Sequence, residues 1–458
     1  LVLAVALVGL TSQNASASWS SNTSNVNTVN TSNVVKASAT FAPVGIQVVN
    51  VGAGSDILND IALTLTGASS FDPATDLAAL TSDSSTSGVG VYLDNTPVGT
   101  FGVEDQSFVM NPTPSYVGSG PWTITLSPNA NISSGTTKNY LIVLRTAAGA
   151  TNAHQLRVGL DSVTYATAGT KTDLAVSAPS ASTFITVDTT APTVSTRLTQ
   201  DINANGLIDA IKVTASESIL DSTLLAANFA VAGYTVASVS GTANSSTAND
   251  SIFYINLTEG AGACSSTDAS GCDSDAIPNV TYTAGTLTDH AGTALANTGA
   301  VAPTDGSKPI AKYAKYKDTD NNAQVDRVDV TFSENIVSDG YNGADYAAST
   351  VGTVNLAADS AVATSGDDLQ ITILGDAGKT GGATDPIITY TNNFVDTSRG
   401  LNDAANNAVI TTVITATDAA APVINTVTIE DTDANGLIDK LTYTWSENVD
   451  TDDGVAPV

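Results

Sequence analysis

The feature that most constrains the fold is a three-part frame that recurs along the chain. A DxDxNGxID segment or a near-copy begins at Asp201 (DINANGLID), Asp318 (DTDNNAQVD) and Asp431 (DTDANGLID), 117 and 113 residues apart. An Asp-x-x-x-Pro entry precedes each copy, at Asp188/Pro192, Asp305/Pro309 and Asp418/Pro422, with the proline nine residues ahead of the loop aspartate. A Ser-Glu pair follows each copy and puts Glu217, Glu334 and Glu447 sixteen residues after it. A repeat of about 115 residues is too long for a solenoid unit and suits a tandem of β-sandwiches. After each loop, Ile211/Val213/Ala215, Val328/Val330/Phe332 and Leu441/Tyr443/Trp445 alternate with polar residues, the period of a half-buried strand.

The frame divides the chain. Repeats are expected at 188–304, 305–417 and 418–458, the third breaking off after about a third of the period. The later parts of the first two align, with LTDHAG and LNDAAN placing Asp289 opposite Asp403. Residues 37–187 hold seven strand-like runs, from VGIQVVNV to STFITVD, separated by Gly, Pro, Asn and Asp clusters, and read as a separate β-sandwich. Residues 18–36 are Ser/Asn/Thr-rich and read as a flexible linker, with Asn-x-Ser/Thr triplets at Asn22 and Asn30. The apolar run Leu1–Leu10 followed by Ala15-Ser16-Ala17 has the form of a secretory signal peptide over 1–17, lacking its start. A longer upstream segment would instead make it an anchor or a pilin-like helix. The expected fold is all-β: tandem β-sandwich domains joined by short Pro-containing linkers.

The loops carry the clearest chemistry. In an oxygen-liganded Ca²⁺ loop, side chains at positions 1, 3 and 5, the carbonyl at 7 and a group at 9 converge on the ion. The first copy supplies Asp201, Asn203, Asn205, the Leu207 carbonyl and Asp209; the second, Asp318, Asp320, Asn322, the Gln324 carbonyl and Asp326. The third supplies Asp431, Asp433, Asn435, the Leu437 carbonyl and Asp439. Gly206 and Gly436 occupy the sharp sixth position, where Ala323 stands in the second copy. A left-handed alanine costs about 1–2 kcal/mol, so the second loop is expected to be the most distorted. None is a complete EF-hand: position 12 is Lys212, Asp329 or Thr442, and a strand follows rather than a helix. Glu217, Glu334 and Glu447, or Asp289 and Asp403, are candidates to complete the coordination. The alternative reading is an Asx-rich β-turn with solvated glutamates.

In combination, the Asp-x-x-x-Pro entry, the DxDxNGxID loop, the strand ending in Ser-Glu (TASES, TFSEN, TWSEN) and the LTDHAG or LNDAAN turn resemble bacterial Ig-like domains of S-layer and other cell-surface proteins. The resemblance covers about 188–458. It implies an extracellular array that spaces, adheres or assembles, often rigidified by calcium, and names no particular ligand.

The remaining features bound the function. With 45 acidic and 15 basic residues the net charge is −30, which repels nucleic acid and anionic membranes. Only 13% of residues are charged and 42% are hydrophobic, too apolar for a disordered acidic tail. Cys264 and Cys272, in CSSTDASGC, read as a local disulfide, since their spacing matches no zinc site. No G-x-S-x-G elbow, His-x-x-x-His pair or phosphate loop occurs, and only His154 and His290 could serve histidine chemistry. The acids that stand out are repeated ones, so no enzymatic activity is expected. Lys308, Lys312, Lys315 and Lys317, interleaved with Tyr313 and Tyr316, read either as a protected edge strand or as a grip for an anionic wall polymer. The expected role is a secreted cell-surface structural or adhesive protein, stabilised by Ca²⁺ and partnered by other surface subunits or cell-wall and extracellular glycans. The alternatives are the non-catalytic spacer of a larger extracellular hydrolase and a pilin-like filament subunit.

Overall fold

The structure is a computed structural model. It describes residues 15–20, 34–50, 54–95, 101–167, 170–175, 184–259, 264–266, 269–283, 285–338, 346–348, 360–365, 368–373, 387–390, 401–410, 412–447 and 449. Leu1–Leu10, Asn22 and Asn30 lie outside them. No helix among the described residues is long and apolar enough to cross a membrane. Contacts divide the chain into two compact units. The first is Leu1–Thr193 with Glu217–Thr223 and Thr286–Ala296; the second is Val194–Ser216, Leu224–Gly285 and Asn297–Val458.

The first unit is a sandwich of two sheets. One runs in the order β1 (Ala15–Ser20), β3 (Thr40–Asn50), β9 (Thr137–Arg145), β5 (Val89–Leu93) and β6 (Gln106–Ser107). The other runs β2 (Val34–Val35), β12 (Ile185–Val187), β10 (Gln155–Thr167), β4 (Asp56–Ala68) and β7 (Trp122–Leu126). β8 (Ala130–Ile132) also pairs with β4, and β11 (Thr170–Ala175) with β10. All seven expected strand runs of 37–187 are present. Strand alternation builds the core between the sheets: Ile61, Leu63 and Leu65 are buried on β4 while Ala62 and Thr64 are half-buried. On β10 the most deeply buried side chains are Leu156, Val158 and Leu160, then Val163 and Tyr165, each 2% exposed or less. The register shift between Leu160 and Ser162 is the bulge that moves the inward face from even to odd residues.

A one-turn helix, α1 (Pro73–Asp76), closes one side of this sandwich and buries Asp76 completely. Its carboxylate accepts from the Asp72 amide at 2.8 Å, the Thr151 amide at 2.9 Å and His154 Nδ1 at 2.8 Å. Burial opposes ionisation of Asp76, but these donors outweigh it and hold the carboxyl below its ordinary 3.8. His154 is thereby used as a structural partner. Because the folded value is depressed, the stabilisation is complete above the ordinary carboxylate pKa and is lost as pH falls through the folded value. Asp76→Asn should cost about 1–3 kcal/mol at neutral pH. In denaturant titrations the gap to wild type should shrink below about pH 4; an unchanged gap would contradict the assignment.

The second unit contains the repeated hairpins. β13 (Val194–Gln200) pairs with β14 (Ala210–Ala215), β20 (Ala311–Lys317) with β21 (Arg327–Phe332), and β29 (Ile424–Glu430) with β30 (Lys440–Trp445). Their registers coincide, with Gln200 opposite Ala210, Lys317 opposite Arg327 and Glu430 opposite Lys440. Each also has an irregularity near its open end, at Val194/Thr196, Ala311/Tyr313 and Ile424/Thr426. The first hairpin joins β17 (Ile252–Thr258) and β16 (Thr235–Ser240) in a four-stranded sheet. Beside it, β15 (Phe229–Val231), β18 (Val280–Tyr282) and β19 (Thr298–Val301) form a three-stranded sheet. The rings of Phe229 and Phe253 sit 5.6 Å apart across the two.

The second hairpin lies in the middle of a seven-stranded sheet. Its order is β23 (Tyr346–Ala348), β26 (Ile387–Tyr390), β28 (Thr412–Asp418), β20, β21, β25 (Asp368–Ile373) and β24 (Ser360–Ser365). β22 (Val337–Ser338) and β27 (Leu401–Asn402) pair separately. This placement overturns the edge-strand reading of the lysine-rich segment: β20 is paired antiparallel to β21 on one side and parallel to β28 on the other. The lysines serve local contacts instead. Lys317 pairs with Asp329 at 2.5 Å, Lys312 Nζ donates to the Asn205 carbonyl at 2.8 Å, and Lys315 lies 5.1 Å from the Tyr313 ring centre.

The third hairpin departs from expectation. Leu441, Tyr443 and Trp445 alternate as a half-buried strand should, yet they are 53%, 50% and 38% exposed. The reason is its pairing. β14 and β21 each have a second neighbour, β17 and β25, whereas β30 pairs only with β29 among the described residues. Cys264 and Cys272 form the expected disulfide.

Candidate metal centres

The three loops fold on one hydrogen-bond frame. The first aspartate accepts from the amides at positions 5 and 6: Asp201 from Asn205 and Gly206 at 3.1 and 2.7 Å, Asp318 from Asn322 and Ala323 at 3.2 and 2.8 Å, and Asp431 from Asn435 and Gly436 at 3.1 and 2.8 Å. The fifth-position oxygen caps the seventh amide, with Asn205, Asn322 and Asn435 accepting from Leu207, Gln324 and Leu437 at 2.8–2.9 Å. Asp209, Asp326 and Asp439 turn back to accept from the second-position amides of Ile202, Thr319 and Thr432. These bonds make an Asx-rich turn. They leave further lone pairs on each carboxylate, so turn and cation loop are compatible readings.

The acids of the loops are close together. One oxygen from each of Asp318, Asp320 and Asp326 lies within 4.8 Å of the others, as do those of Asp431, Asp433 and Asp439. The first loop is arranged differently, because its third position is Asn203. Glu259, just beyond β17, accepts from the side-chain amides of Asn203 at 2.5 Å and Asn205 at 2.9 Å. Burial, followed by the charges of Asp201 and Glu259, raises the Asp209 pKa despite the backbone donors. Asp273 braces this loop, accepting from the Ile208 amide at 2.8 Å and the Tyr234 hydroxyl at 2.6 Å. Glu259 and Asp273 carry no periodic or motif signal and were not legible in the sequence.

The expected distortion of the second loop is absent. Ala323 adopts φ +70° at the position where Gly206 has +93° and Gly436 has +85°, and the surrounding bonds keep the common lengths. The frame holds the alanine in a strained backbone region rather than deforming around it. Ala323→Gly should therefore stabilise the protein by about 1 kcal/mol. Gly206→Ala should do the opposite, since a Cβ there would collide with Cys264 Sγ. Denaturant midpoints of the two variants check this; a destabilising Ala323→Gly would contradict it.

The candidate completing ligands do not join the loops. Two separate centres form instead, one from Asp188, Glu217 and Asp289, the other from Asp305, Glu334 and Asp403, each with its three ligand oxygens within 4.8 Å. Two parts of the sequence frame meet in them, the Asp-x-x-x-Pro entry and the Ser-Glu strand end, together with the late turn. Each entry aspartate accepts from the amide two residues on, Asp188 from Thr190 at 3.0 Å, Asp305 from Ser307 at 3.0 Å and Asp418 from Ala420 at 2.9 Å. Each late-turn aspartate accepts from the amide four residues on, Asp289 from Thr293 at 2.8 Å and Asp403 from Asn407 at 2.7 Å. The turns share a left-handed residue three places after the aspartate, Gly292 at φ +83° and Asn406 at +71°.

Both centres are unfavourable places for negative charge. Asp289 is 1% exposed, and Glu334 and Asp403 are 5% exposed. Burial, reinforced by Asp188 and Asp289, pushes Glu217 up to about 7. Burial and the charge of Asp305 push Glu334 up to about 9, against the Ser274 hydroxyl. Burial likewise raises Asp289 and Asp305. No ion pair among the described residues brings a lysine or arginine to these six carboxylates.

No family model matches the chain, and no curated protein matches it. Among solved structures it is similar to the BSP domain of a biofilm-associated protein, at 10% identity and a TM-score of 0.23, covering 89% of this chain and 67% of that one. A putative membrane-anchored protein from Corynebacterium diphtheriae aligns at 11% identity and a TM-score of 0.20, covering 88% and 92%. AvmM, which catalyzes macrocyclization in alchivemycin A biosynthesis, aligns at 9% identity and a TM-score of 0.18, covering 38% and 82%. At these scores none of the alignments bears on function, and the fold rests on this chain's own strand pairing.

Proposed function

We propose that this chain is part of a secreted, cell-surface structural or adhesive array in which Ca²⁺ stabilises successive Ig-like repeats. The observation that carries the reading is repetition: one acidic loop, on one hydrogen-bond frame, closes a hairpin of the same register three times. A single active site has no need of such copies, whereas a load-bearing or spacing tandem does. The ligand set is all oxygen, which suits a hard divalent cation at extracellular concentration. Asp201, Asn203, Asn205, Leu207 and Asp209 would hold one ion, and the equivalent sets at Asp318 and Asp431 two more. An S-layer or adhesin-like assembly fits the net charge of −30, which keeps the surface acidic and soluble. Other surface subunits or extracellular glycans are the partners that such an array would meet, and no catalytic role is assigned.

Binding to the folded state alone stabilises it by about 2.7 kcal/mol per site at a hundredfold excess over Kd. Thermal unfolding of the whole chain in excess Ca²⁺ should therefore give a higher Tm than unfolding in chelator. Asp318→Asn and Asp431→Asn should each reduce the difference. A Tm indifferent to Ca²⁺ would reduce the loops to polar turns.

A further inference from the structure

We infer that the two trios Asp188/Glu217/Asp289 and Asp305/Glu334/Asp403 are themselves divalent-cation sites, distinct from the DxDxN loops, that tie each repeat's entry segment to its strand end and its late turn. Proximity of acids alone would not carry this. The independent observation is that each trio contains a buried carboxylate oxygen with nothing to satisfy it. Asp289 is 1% exposed; its Oδ1 accepts the Thr293 amide, and its Oδ2 is buried with no hydrogen-bond partner. Glu334 is 5% exposed, and its Oε1 is likewise buried without a partner. A buried, unpartnered carboxylate oxygen beside two further carboxylates is among the costliest arrangements a fold can hold. Glu447, which repeats the Ser-Glu position beside Asp418, also has a buried, unpartnered Oε1.

The geometry suits one ion. Oxygens bound to Ca²⁺ at about 2.4 Å lie at most about 4.8 Å apart, and about 3.4 Å apart at right angles. The three ligand oxygens of each trio fall within that limit. Backbone donors fix the members from outside: Thr190 and Ser307 hold Asp188 and Asp305, and Thr293 and Asn407 hold Asp289 and Asp403. In the second trio the Asn407 side-chain amide also donates to Asp403 Oδ2 at 2.7 Å and to the Asp305 carbonyl at 3.3 Å, and Thr199 Oγ1 donates to Asp305 at 3.2 Å. The carboxylates are thus preset before any ion arrives. Three carboxylates supply part of a six- to eight-oxygen Ca²⁺ shell and leave room for water. Two trios with the same members in the same chain positions argue for a conserved device within this molecule rather than an accident of one turn.

The inference does not depend on the loops binding. Calorimetric titration of the whole chain with Ca²⁺, in wild type, Glu217→Gln, Glu334→Gln, the double variant and a loop variant (Asp201→Asn, Asp318→Asn, Asp431→Asn), separates the two. Each glutamine should lose one bound ion, or weaken one at least tenfold, and the double variant should lose two. The loop variant should keep two, whatever the loops contribute in wild type. Melting in chelator controls for folding: glutamine replaces the crowded carboxyl with a neutral group of the same size, so the variants should melt no lower than wild type there and lose part of the Ca²⁺-dependent rise. Unchanged stoichiometry and affinity in the Glu217→Gln/Glu334→Gln variant would overturn the inference and leave the loop reading intact. A loop variant that folds but binds no ion would also overturn it.

Discussion

The constraint on which the repeated architecture turns is the crowding of carboxylates where one segment hands over to the next. Asp305, Glu334 and Asp403 come from an entry segment, a strand end and a late turn, and converge to within 4.8 Å with little access to water. Like charges in such a place repel strongly, because the surrounding dielectric no longer screens them. A fold that only needed a connection there could use threonine or asparagine. Keeping acids at all three positions, twice, makes sense when a cation supplies the missing charge.

The hairpins explain how these acids are delivered. Pairing Lys317 with Arg327 and carrying the register to Ala311 and Phe332 sets the strand end, so that Glu334 follows at a fixed place. The Ser333 amide donates to the Ile310 carbonyl and its hydroxyl accepts from the Ile310 amide, pinning that strand end to the entry segment beside Asp305. At the other end of the hairpin, the DxDxN turn reverses the chain within nine residues by satisfying its own backbone amides with its own Asp and Asn side chains. Loop and trio thus mark opposite ends of the same two strands. Ions at both would brace the hairpin along its length.

Much of this organisation was legible from spacing. The Asp-x-x-x-Pro, DxDxN and Ser-Glu frame located the hairpins, and alternation located β14, β21 and β30. Strand runs separated by Gly and Asn clusters located strands of the N-terminal sandwich, but not β1 (Ala15–Ser20) or β2 (Val34–Val35). What spacing could not show was which acids meet. Glu217 and Glu334 looked like missing loop ligands because they follow the loops in sequence, but a strand of about six residues carries them some 20 Å away from the turn. Glu259 and Asp273 reach the first loop from strand and loop ends with no pattern of their own. The lysines of β20 looked like edge protection because composition does not reveal that a parallel partner, β28, arrives about a hundred residues later. The exposed face of β30 has a similar cause: alternation records what a strand is suited to, and pairing decides whether it is covered.

The most direct test is crystallographic: anomalous diffraction from crystals of the chain grown with Ca²⁺ and soaked in a lanthanide such as terbium. The account predicts a peak about 2.3–2.6 Å from one oxygen each of Asp305, Glu334 and Asp403, and another at Asp188, Glu217 and Asp289. Density showing the same carboxylates sharing protons or bridged by water, with no anomalous signal at either trio, would contradict it.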